Sequence, residues 1–466
     1  MASPQASAAV AALREALGPD GVLDGASAGP RYHDDVLGNH GVPPLAVARP
    51  RTTADVSRAL SILHGAGVPV VTQGGRTGLV LGQLPRDGEV VLSTERMTDI
   101  EEIDADAGTA TVQCGVVLQA LQDRLEPLGL AFPLDLGGRG SCTIGGNIST
   151  NAGGNRVIRY GMTRDLVLGL EAVLADGTVL DGLKPFQKNN TGVDLKQLFI
   201  GSEGVLGVVT RAVLRLVPRP RARCVAFCAL DDFDRVRALL RHLRARLAGE
   251  HTAFEVLWKS YLEGVAKLGN LRLPMPDRHA FYVLAEASAQ DAAALQAHFE
   301  QVLGEALDDG TLADVVVAKN EAESLALWEM RDRAIDVSRT LDPIVPFDVS
   351  LKIADMNTFA LRLDAALKAL HPDGRAIVFG HAGDGNLHIS AHQPPGLPDA
   401  FHAIEHTVYG LVREFGGSVS AEHGIGLLKR EFLGHTRGAA EIASMRRLKA
   451  ALDPRAILNR DRILSA

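Results

Sequence analysis

The order of apolar and polar positions in the first half of the chain predicts strands that alternate with helices. The stretch TTADVSRALSILHGAG has apolar residues three and four apart, with Thr52 or Thr53 as N-cap and Gly65 as a stop, which is typical of an amphipathic helix. The short runs VPVV, VVLSTERM and TATVQCGVVL predict buried strands. LEAVLADGTVLDG predicts a hairpin with Asp176 and Gly177 in its turn.

The pattern changes at LVPRPRAR, where Pro218 and Pro220 among arginines predict a domain boundary. Apolar runs after it predict the strands RCVAFCAL, FEVLW and AFYVLAEA. Amphipathic spacing predicts the helices DDFDRVRALLRHLRARL, DAAALQAHFEQVL and EAESLALWEMRDRAIDVSRT. The tail EIASMRRLKAALDPRAILNRDRIL reads as a helix followed by an extension after proline. We therefore expect a second α+β unit.

Composition narrows the class of protein. The 466 residues are 46% hydrophobic and 22% charged, as in globular proteins, and the length suggests roughly two to four domains. The net charge of −8 argues against a nucleic-acid-binding surface. We predict no transmembrane segment and no secretory signal. Four cysteines form no disulfide framework, so Cys224 and Cys228 are expected as small core residues and the cytoplasm as the location.

Three glycine clusters carry the first chemical signal: QGGRTGLVLG (73–82), LGGRGSCTIGGNISTNAGGN (136–155) and GSEGVLG (201–207). Glycine allows backbone amides to approach a polyanion and to form an anion-binding nest. The clusters predict a phosphate-bearing cofactor. Neither the GxGxxG spacing of a dinucleotide fold nor the GxxxxGK[ST] pattern of a P-loop occurs, so another architecture is expected to hold the diphosphate.

The stretch GHAGDGNLHIS suggests a second site. With Asp384 and Gly385 as a two-residue turn, His381 would face His388, with Cβ atoms roughly 4.5–5.5 Å apart on one face of the hairpin. Asn386 would share that face, since side chains alternate along a strand. Two imidazoles so placed could bind one ion, or they could be a pair of structural histidines.

The stretch SVSAEHGIG adds Glu422 and His423 as further candidates. A glutamate with two histidines is a recurring catalytic zinc set that leaves one position open. Spacing alone does not bring Glu422 to the hairpin in space.

The motifs VVTQGGRTGLVLG, PLDLGGRGSCTIGGNISTNAGGNRVIRYG and DLKQLFIGSEGVLGVVT resemble the vanillyl-alcohol oxidase/PCMH flavoprotein superfamily. Within it the chain is most similar to the D-2-hydroxyglutarate and D-lactate dehydrogenase branch, from about residue 30 to LDPRAILN. The resemblance implies an α+β protein with a two-lobed PCMH-type FAD-binding domain at 1–220. It further implies an α+β substrate (cap) domain at 221–420 carrying the hairpin, and a C-terminal helical return at 421–466 that packs back on the FAD domain.

The same resemblance implies residues that bind FAD. They are Gln73, Gly74, Gly75, Arg76, Thr77, Gly78, Leu79, Pro133, Asp135, Ser141, Gly145, Gly146, Asn147, Thr150, Asn151, Gly153, Gly154, Glu203, Gly204, Gly207, Val208 and Asn459. Some relatives link FAD through a histidine or cysteine in these loops. Here the first loop has neither and the second has only Cys142, so non-covalent FAD is expected.

For the second site the resemblance implies metal ligands and substrate contacts. The implied ligands of zinc or another divalent ion are His381, His388 and Glu422. His423 is implied as the catalytic base, and Arg331, Asn386 and His423 as substrate-binding residues. An arginine fork suits a carboxylate.

The implied activity is an FAD- and metal-dependent oxidation of a D-2-hydroxy acid to the 2-oxo acid, most like D-2-hydroxyglutarate dehydrogenase. Ile335 and Pro346 stand where the hydroxyglutarate enzymes have a threonine and a lysine for the distal carboxylate. D-lactate, another monocarboxylic D-2-hydroxy acid, or a glycolate oxidase-like activity are therefore alternatives.

Two further hypotheses stay open: among enzymes, a flavin oxidase that uses O₂ directly, and from another class, an FAD-binding subunit or sensor without turnover. The electron acceptor (electron-transfer flavoprotein, quinone or cytochrome) leaves no mark in the sequence. The oligomeric state also stays open, with a homodimer as one alternative.

Overall fold

The computed structural model describes residues 3–36, 38–269 and 271–465. The strands are β1 (Val22–Asp24), β2 (Ala46–Ala48), β3 (Val70–Gln73), β4 (Val90–Ser93), β5 (Ile100–Asp104), β6 (Thr109–Gln113), β7 (Leu130–Ala131), β8 (Val167–Val173), β9 (Val179–Gly182), β10 (Val208–Arg215), β11 (Val217–Pro218), β12 (Ala222–Leu230), β13 (His251–Trp258), β14 (Phe281–Ala289), β15 (Asp314–Val317), β16 (Ile344–Ser350), β17 (Ala376–Gly380) and β18 (Asn386–His392). The helices are α1 (Pro4–Leu17), α2 (Thr53–Ala66), α3 (Leu118–Leu125), α4 (Ile144–Thr150), α5 (Val157–Tyr160), α6 (Thr163–Leu166), α7 (Lys196–Phe199), α8 (Phe233–Leu247), α9 (Lys259–Leu268), α10 (Ala292–Asp308), α11 (Glu321–Asp332), α12 (Ala334–Arg339), α13 (Met356–Leu370), α14 (Ala400–Glu414), α15 (Leu433–Thr436) and α16 (Ala439–Leu452). This mixture of sheets and helices confirms the predicted α+β class.

The chain divides into two compact units. The first contains the chain up to Gly154, Gly161–Arg219, and the segment from Glu422 onward. The second contains Asn155–Tyr160 and Pro220–Ala421. The short piece in the second unit was not expected from the sequence. None of the helices among the described residues has the length and apolar character that crossing a membrane requires.

The first unit contains three sheets. A four-stranded sheet has the order β1-β2-β4-β3, and a five-stranded sheet has the order β5-β6-β10-β8-β9. The third sheet pairs β7 with β11. Helices α1 and α2 share one apolar core with strands of the two larger sheets, and Leu458 from the C-terminal segment joins that core. Val70 in β3 also bonds the carbonyl of Ile457, so the end of the chain packs into this unit.

Helix α2 shows the predicted capping at its start and a different end. Thr52 is the N-cap and forms a reciprocal capping box with Asp55, which satisfies amides that the helix leaves unpaired. The helix does not stop at Gly65, as the sequence suggested. It ends at Gly67, which has φ 66°, because glycine adopts the left-handed conformation that such a C-cap needs.

The second unit is built on one seven-stranded antiparallel sheet with the order β15-β12-β14-β13-β17-β18-β16. Helices α9, α11 and α12 pack on it through a core that includes Tyr261, Trp328 and Val337. Cys224 and Cys228 are buried in β12, which confirms the expectation that they are core residues on a strand.

The predicted turn of the β17–β18 hairpin is wrong in register. His388 pairs with Phe379 and not with His381. The chain leaves β17 at Gly380, and the amides of Asp384 and Asn386 both bond the carbonyl of His381. The connection is therefore longer than a two-residue turn, because its backbone closes on His381 instead of continuing the strand.

The long helix predicted over EAESLALWEMRDRAIDVSRT is broken into α11 and α12. The hydroxyl of Tyr261 donates to the carbonyl of Met330 at 2.8 Å and also approaches the carbonyl of Arg331. Since those carbonyls would otherwise accept from the next helical turn, the tyrosine favours a break at Arg333. Helix α11 therefore ends at Asp332, one residue after Arg331.

Candidate active site

In the first unit the first two glycine clusters lie against each other. A Cβ atom on Gly75 would lie 2.1 Å from the carbonyl oxygen of Ser141, and one on Gly74 would lie 2.4 Å from the hydroxyl of Thr143. Real side chains do not tolerate such distances, so these positions require glycine. The two loops thereby form one backbone surface, which we name the cradle.

The third glycine cluster joins the cradle through Glu203. Its amide donates to the carbonyl of Ser149 at 2.7 Å, and its carboxylate accepts from the amides of Ile425 and Gly426. The side chain of Asn459 contacts Glu203 as well. The three clusters and the C-terminal segment therefore meet in one place within this unit.

Two buried amides show that the cradle fits a polar cofactor. Gln73 Oε1 and Asn147 Nδ2 are buried and have no hydrogen-bond partner within the described parts of the chain. Buried polar atoms are nearly always paired in folded proteins. The side-chain NH₂ group of Gln73 donates to the carbonyls of Tyr32 and Gln83. Its Oε1 is therefore the atom that remains for a bound group. A molecule with a diphosphate and several hydroxyls, as FAD has, suits these donors and acceptors.

All residues predicted to bind FAD lie in this first unit. Asn151 is one whose side chain already has a structural task, since its Oδ1 accepts from the amide of Arg164 at 2.9 Å. Sequence reasoning missed Tyr32, whose ring lies 5.8 Å below the guanidinium of Arg76. No local motif marks Tyr32, because it precedes the glycine clusters and reaches them only in the fold.

In the second unit the two hairpin histidines converge despite the different register. Their ring centroids lie 5.1 Å apart and the rings stand edge to face at 82°. One nitrogen of His381 lies within 4.8 Å of one nitrogen of His388. Two neutral imidazoles at this separation fit a shared divalent ion.

Glu255, in the middle of β13, binds two of the predicted site residues. Its Oε1 lies 2.5 Å from Nδ1 of His381, and its Oε2 accepts from Nε of Arg331 at 2.6 Å. Burial alone would raise the pKa of Glu255, but His381 and Arg331 outweigh it and lower the pKa to about 2. Glu255 is therefore ionised at neutral pH and fully buried.

Asp348 has a similar place beside the second histidine. It pairs with His388 across β16 and β18, and its carboxylate lies 3.9 Å from Nδ1 of that histidine. The same carboxylate accepts from the amide of Ala421 at 3.1 Å. Glu255 thus bonds Nδ1 of His381, an arrangement that orients metal-binding histidines in many proteins, and Asp348 places a second carboxylate 3.9 Å from Nδ1 of His388.

Arg331 is largely buried, with 8% of its surface exposed. Its guanidinium carbon lies 4.9 Å from the ring centroid of Phe379, and that ring lies 5.1 Å from the ring of His388. The two departures noted in the sequence are on the surface, since Ile335 is 69% exposed and Pro346 is exposed in β16. Neither offers a polar group to an anion.

Asn386 is the fourth predicted site residue in the second unit. It is two residues before His388 in β18 and therefore on the same face. Only 4% of it is exposed, and neither Oδ1 nor Nδ2 has a hydrogen-bond partner among the described residues. An amide left this way fits a ligand that both donates and accepts.

The structure thus brings His381, His388 and Arg331 together in the second unit, and Asn386 shares a strand face with His388. Glu422 and His423 open the last segment of the first unit, and Glu422 directly follows Ala421 in the chain. Their predicted roles stay predictions.

Sequence reasoning missed Glu255 and Asp348. Each is a lone acidic residue in an apolar strand, in FEVLW and VPFDVS. A carboxylate in such a run needs a buried partner, and that was the available signal.

Two known protein families match this chain, one in its first part and one in its second. A family described as FAD linked oxidases, C-terminal domain, matches residues 219–463. A family described as FAD binding domain matches residues 44–182.

Several known proteins are similar to this chain over most of its length. A D-2-hydroxyglutarate dehydrogenase of Xanthomonas citri pv. viticola is 40% identical over 426 residues, covering 89% of this chain and 88% of the relative. One of Stutzerimonas stutzeri is 35% identical and covers 97% and 98%. A putative mitochondrial D-lactate dehydrogenase of Schizosaccharomyces pombe is 36% identical and covers 88% and 80%.

Solved structures show the same fold. A p-cresol methylhydroxylase with bound substrate superposes with a TM-score of 0.78 at 17% identity, covering 99% of this chain and 97% of that chain. An alkyldihydroxyacetonephosphate synthase superposes with a TM-score of 0.74, also at 17% identity, covering 97% and 84%. The predicted PCMH-type fold is therefore confirmed.

Proposed function

Because the chain belongs to the FAD-linked oxidase family, in the branch that includes the D-2-hydroxyglutarate dehydrogenases, we propose that it is an FAD- and metal-dependent dehydrogenase of a D-2-hydroxy acid. The substrate loses its hydroxyl proton and the hydride on C2 and becomes the 2-oxo acid. FAD, when bound, accepts that hydride. We assign FAD binding to residues 1–220 and substrate recognition to 221–420, with 421–466 as the return segment.

The observation that carries this proposal is the buried amide of Asn386. Both of its polar atoms are without a partner in the described structure, and it shares a strand face with His388. A 2-hydroxy acid offers a hydroxyl that donates and a carboxylate that accepts. Asn386 can bind both groups, and the guanidinium of Arg331 supplies the positive charge that a carboxylate needs.

We further propose that His381 and His388 hold a divalent ion, zinc being the first choice. Glu255 supports this, because its bond to Nδ1 of His381 leaves Nε2 of that ring for a ligand. Asp348 adds a second negative charge beside His388. The ion, when bound, polarises the substrate hydroxyl as a Lewis acid. Glu422 keeps its predicted role as third ligand and His423 its role as the base that takes the hydroxyl proton.

The side chain of the substrate distinguishes D-2-hydroxyglutarate from D-lactate. The relatives named as D-2-hydroxyglutarate dehydrogenases favour a second carboxylate. Ile335 and Pro346 favour a monocarboxylic substrate such as D-lactate, because both are apolar and offer no polar group to a distal carboxylate. We take a D-2-hydroxyglutarate-like activity as the main proposal and a D-lactate-like activity as the second.

Anaerobic reduction of the flavin tests the proposal. The holoprotein with metal is mixed in turn with D-2-hydroxyglutarate, D-lactate, D-malate and glycolate, and the visible flavin absorbance is followed. Bleaching by a D-2-hydroxy acid but not by its L-enantiomer is expected. If none of the D-2-hydroxy acids bleaches the flavin with metal present, the dehydrogenase proposal fails.

A further inference from the structure

We propose that Glu255 is a positioning residue that fixes both the tautomer of His381 and the orientation of Arg331. The proposal rests on the proposed function, since it concerns the metal and substrate groups of the same site. It assigns a role to a residue that no sequence motif marks.

One carboxylate joins side chains from three separate elements. Glu255 comes from β13, Arg331 from the end of α11, and His381 from the connection after β17. Each oxygen of the carboxylate has its own partner, at 2.5 Å for His381 Nδ1 and 2.6 Å for Arg331 Nε. The carboxylate is fully buried, so water does not compete for these contacts.

The contacts determine which ring nitrogen of His381 carries the proton. One oxygen of Glu255 accepts from Arg331 Nε and the other faces Nδ1 of His381, so Nδ1 of a neutral His381 must be the donor and Nε2 must hold the lone pair. Arg331 Nη2 lies 3.3 Å from that Nε2, and a guanidinium only donates. The two neighbours therefore require the same tautomer, which is the one that can bind a metal through Nε2.

The geometry also separates two contacts of Arg331. For His381 Nε2 to bind a metal, Arg331 Nη2 must stop donating to the lone pair on that nitrogen. The contact from Arg331 Nε to Glu255 does not involve the lone pair and can stay. Glu255 thus keeps the guanidinium beside the site and ready for a substrate carboxylate, and its negative charge balances the buried cation.

Glutamine cannot replace Glu255 in this role. Its amide has one accepting oxygen and one donating nitrogen, whereas His381 Nδ1–H and Arg331 Nε–H both donate. One orientation loses Arg331, and the other forces His381 into the tautomer with a proton on Nε2. Either way the neutral amide leaves the guanidinium without its buried counterion.

The test compares Glu255→Gln with Glu286→Gln in FAD-loaded protein. Glu286 is equally buried, in the adjacent strand β14, and bonds Trp328, Thr252 and Arg156 instead. Zinc affinity is measured by chelator competition. We expect Glu255→Gln to bind zinc about 10–100-fold more weakly and Glu286→Gln to stay within about twofold of the unchanged protein.

The outcomes separate this proposal from the proposed function. Zinc affinity of Glu255→Gln within twofold of the unchanged protein, or no zinc binding by the unchanged protein, overturns the role of Glu255. Zinc binding that falls as expected, in a protein whose flavin no D-2-hydroxy acid reduces, sinks the dehydrogenase and leaves the role of Glu255 intact.

Should Glu255→Gln not fold, Glu255→Asp takes its place. Its carboxylate is set back by one methylene group from both partners, so this variant should also bind zinc more weakly. Where turnover is measurable, a raised KM for the acid in Glu255→Asp supports the link to Arg331. Zinc affinity equal to that of the unchanged protein overturns the proposal.

Discussion

The side-chain amide of Asn459 donates a 2.6 Å hydrogen bond to the carbonyl oxygen of Glu203. Its Oδ1 accepts from the amide of Thr72 at 2.9 Å. One asparagine near the end of the chain therefore joins the strand before the first glycine cluster to the third cluster. Both contacts fix backbone that forms the cradle.

Replacing Asn459 with alanine is expected to weaken FAD binding by about tenfold or more. The change removes the partners of a carbonyl and an amide that are partly buried, at up to about 1–3 kcal/mol each. FAD titration into apoprotein, followed by fluorescence, measures the effect. Asn189→Ala, at an exposed position, serves as the control, and equal affinity in both variants would contradict the role of Asn459.

Gly75→Ala should produce protein that retains little FAD. Its Cβ would lie 2.1 Å from the carbonyl of Ser141, so the first two glycine clusters must separate, typically at about 1–3 kcal/mol. Gly140→Ala is the matched control in the second cluster, because no atom lies within 4 Å of its added Cβ. The flavin-to-protein absorbance ratio after purification reports the difference. Full flavin content in Gly75→Ala would show that the cradle is not the FAD site.

His388→Ala should lose the metal and turnover while it keeps FAD. His388 is in the second unit, whereas all residues predicted to bind FAD are in the first. Metal analysis and the flavin spectrum of the same preparation distinguish the two effects. His392→Gln, on the same strand but bonded to the carbonyl of Leu341, should keep the metal. Loss of FAD with retention of metal in His388→Ala would reverse the assigned roles.

The double variant Ile335→Thr, Pro346→Lys should shift preference toward D-2-hydroxyglutarate and away from D-lactate. It supplies a hydroxyl and a cation, and a hydrogen bond to a charged group contributes about 1.5–3 kcal/mol. The ratio of kcat/KM for the two acids is therefore expected to rise by about tenfold or more. Both positions are exposed, so stability should change little. An unchanged ratio would place the distal end of the substrate elsewhere.

His251 should make the stability of the protein depend on pH. Burial lowers its pKa to about 4, against the opposing effect of a hydrogen bond to the carbonyl of Ala253 and with a further lowering by Arg244. Between pH 6.5 and 4 only the unfolded chain takes up this proton. Its contribution to stability is therefore complete above pH 6.5 and is lost as the pH falls toward 4.

Urea unfolding at pH 7.5 and pH 4.5 measures this contribution. The unchanged protein should lose about 2–3 kcal/mol more than His251→Gln over that interval. Glutamine keeps a donor for the carbonyl of Ala253 but has no proton to gain. Parallel losses in both proteins would show that His251 is not responsible.

The β17–β18 hairpin shows which structural features could be predicted from the sequence and which could not. Side-chain alternation placed Asn386 and His388 on one face, and the structure confirms it. The two-residue turn was wrong, because the backbone bonds of the connection to the His381 carbonyl are not encoded in the Asp-Gly signal alone. The histidines converge nevertheless, since the loop returns His381 to the strand that carries His388.

Contacts between distant segments could not be predicted in the same way. Glu255 and Arg331 are separated by several strands and helices, and their ion pair follows from sheet order and from the helix break at Arg333. The strand FEVLW was found from its apolar run, but apolar patterning says nothing about what a buried carboxylate meets. The resemblance to known flavoproteins pointed to ligands and glycine loops, and the supporting residues behind them had no motif.

The division of the first unit into separate stretches of chain has a consequence for biosynthesis. The glycine clusters are translated early, then the ribosome makes Pro220–Ala421, and only afterwards does Asn459 become available to Thr72 and Glu203. The cradle therefore stays unfinished through most of translation. We expect cofactor uptake to follow the synthesis of Asn459, so that a nascent chain stalled before that residue would carry the glycine loops without the flavin.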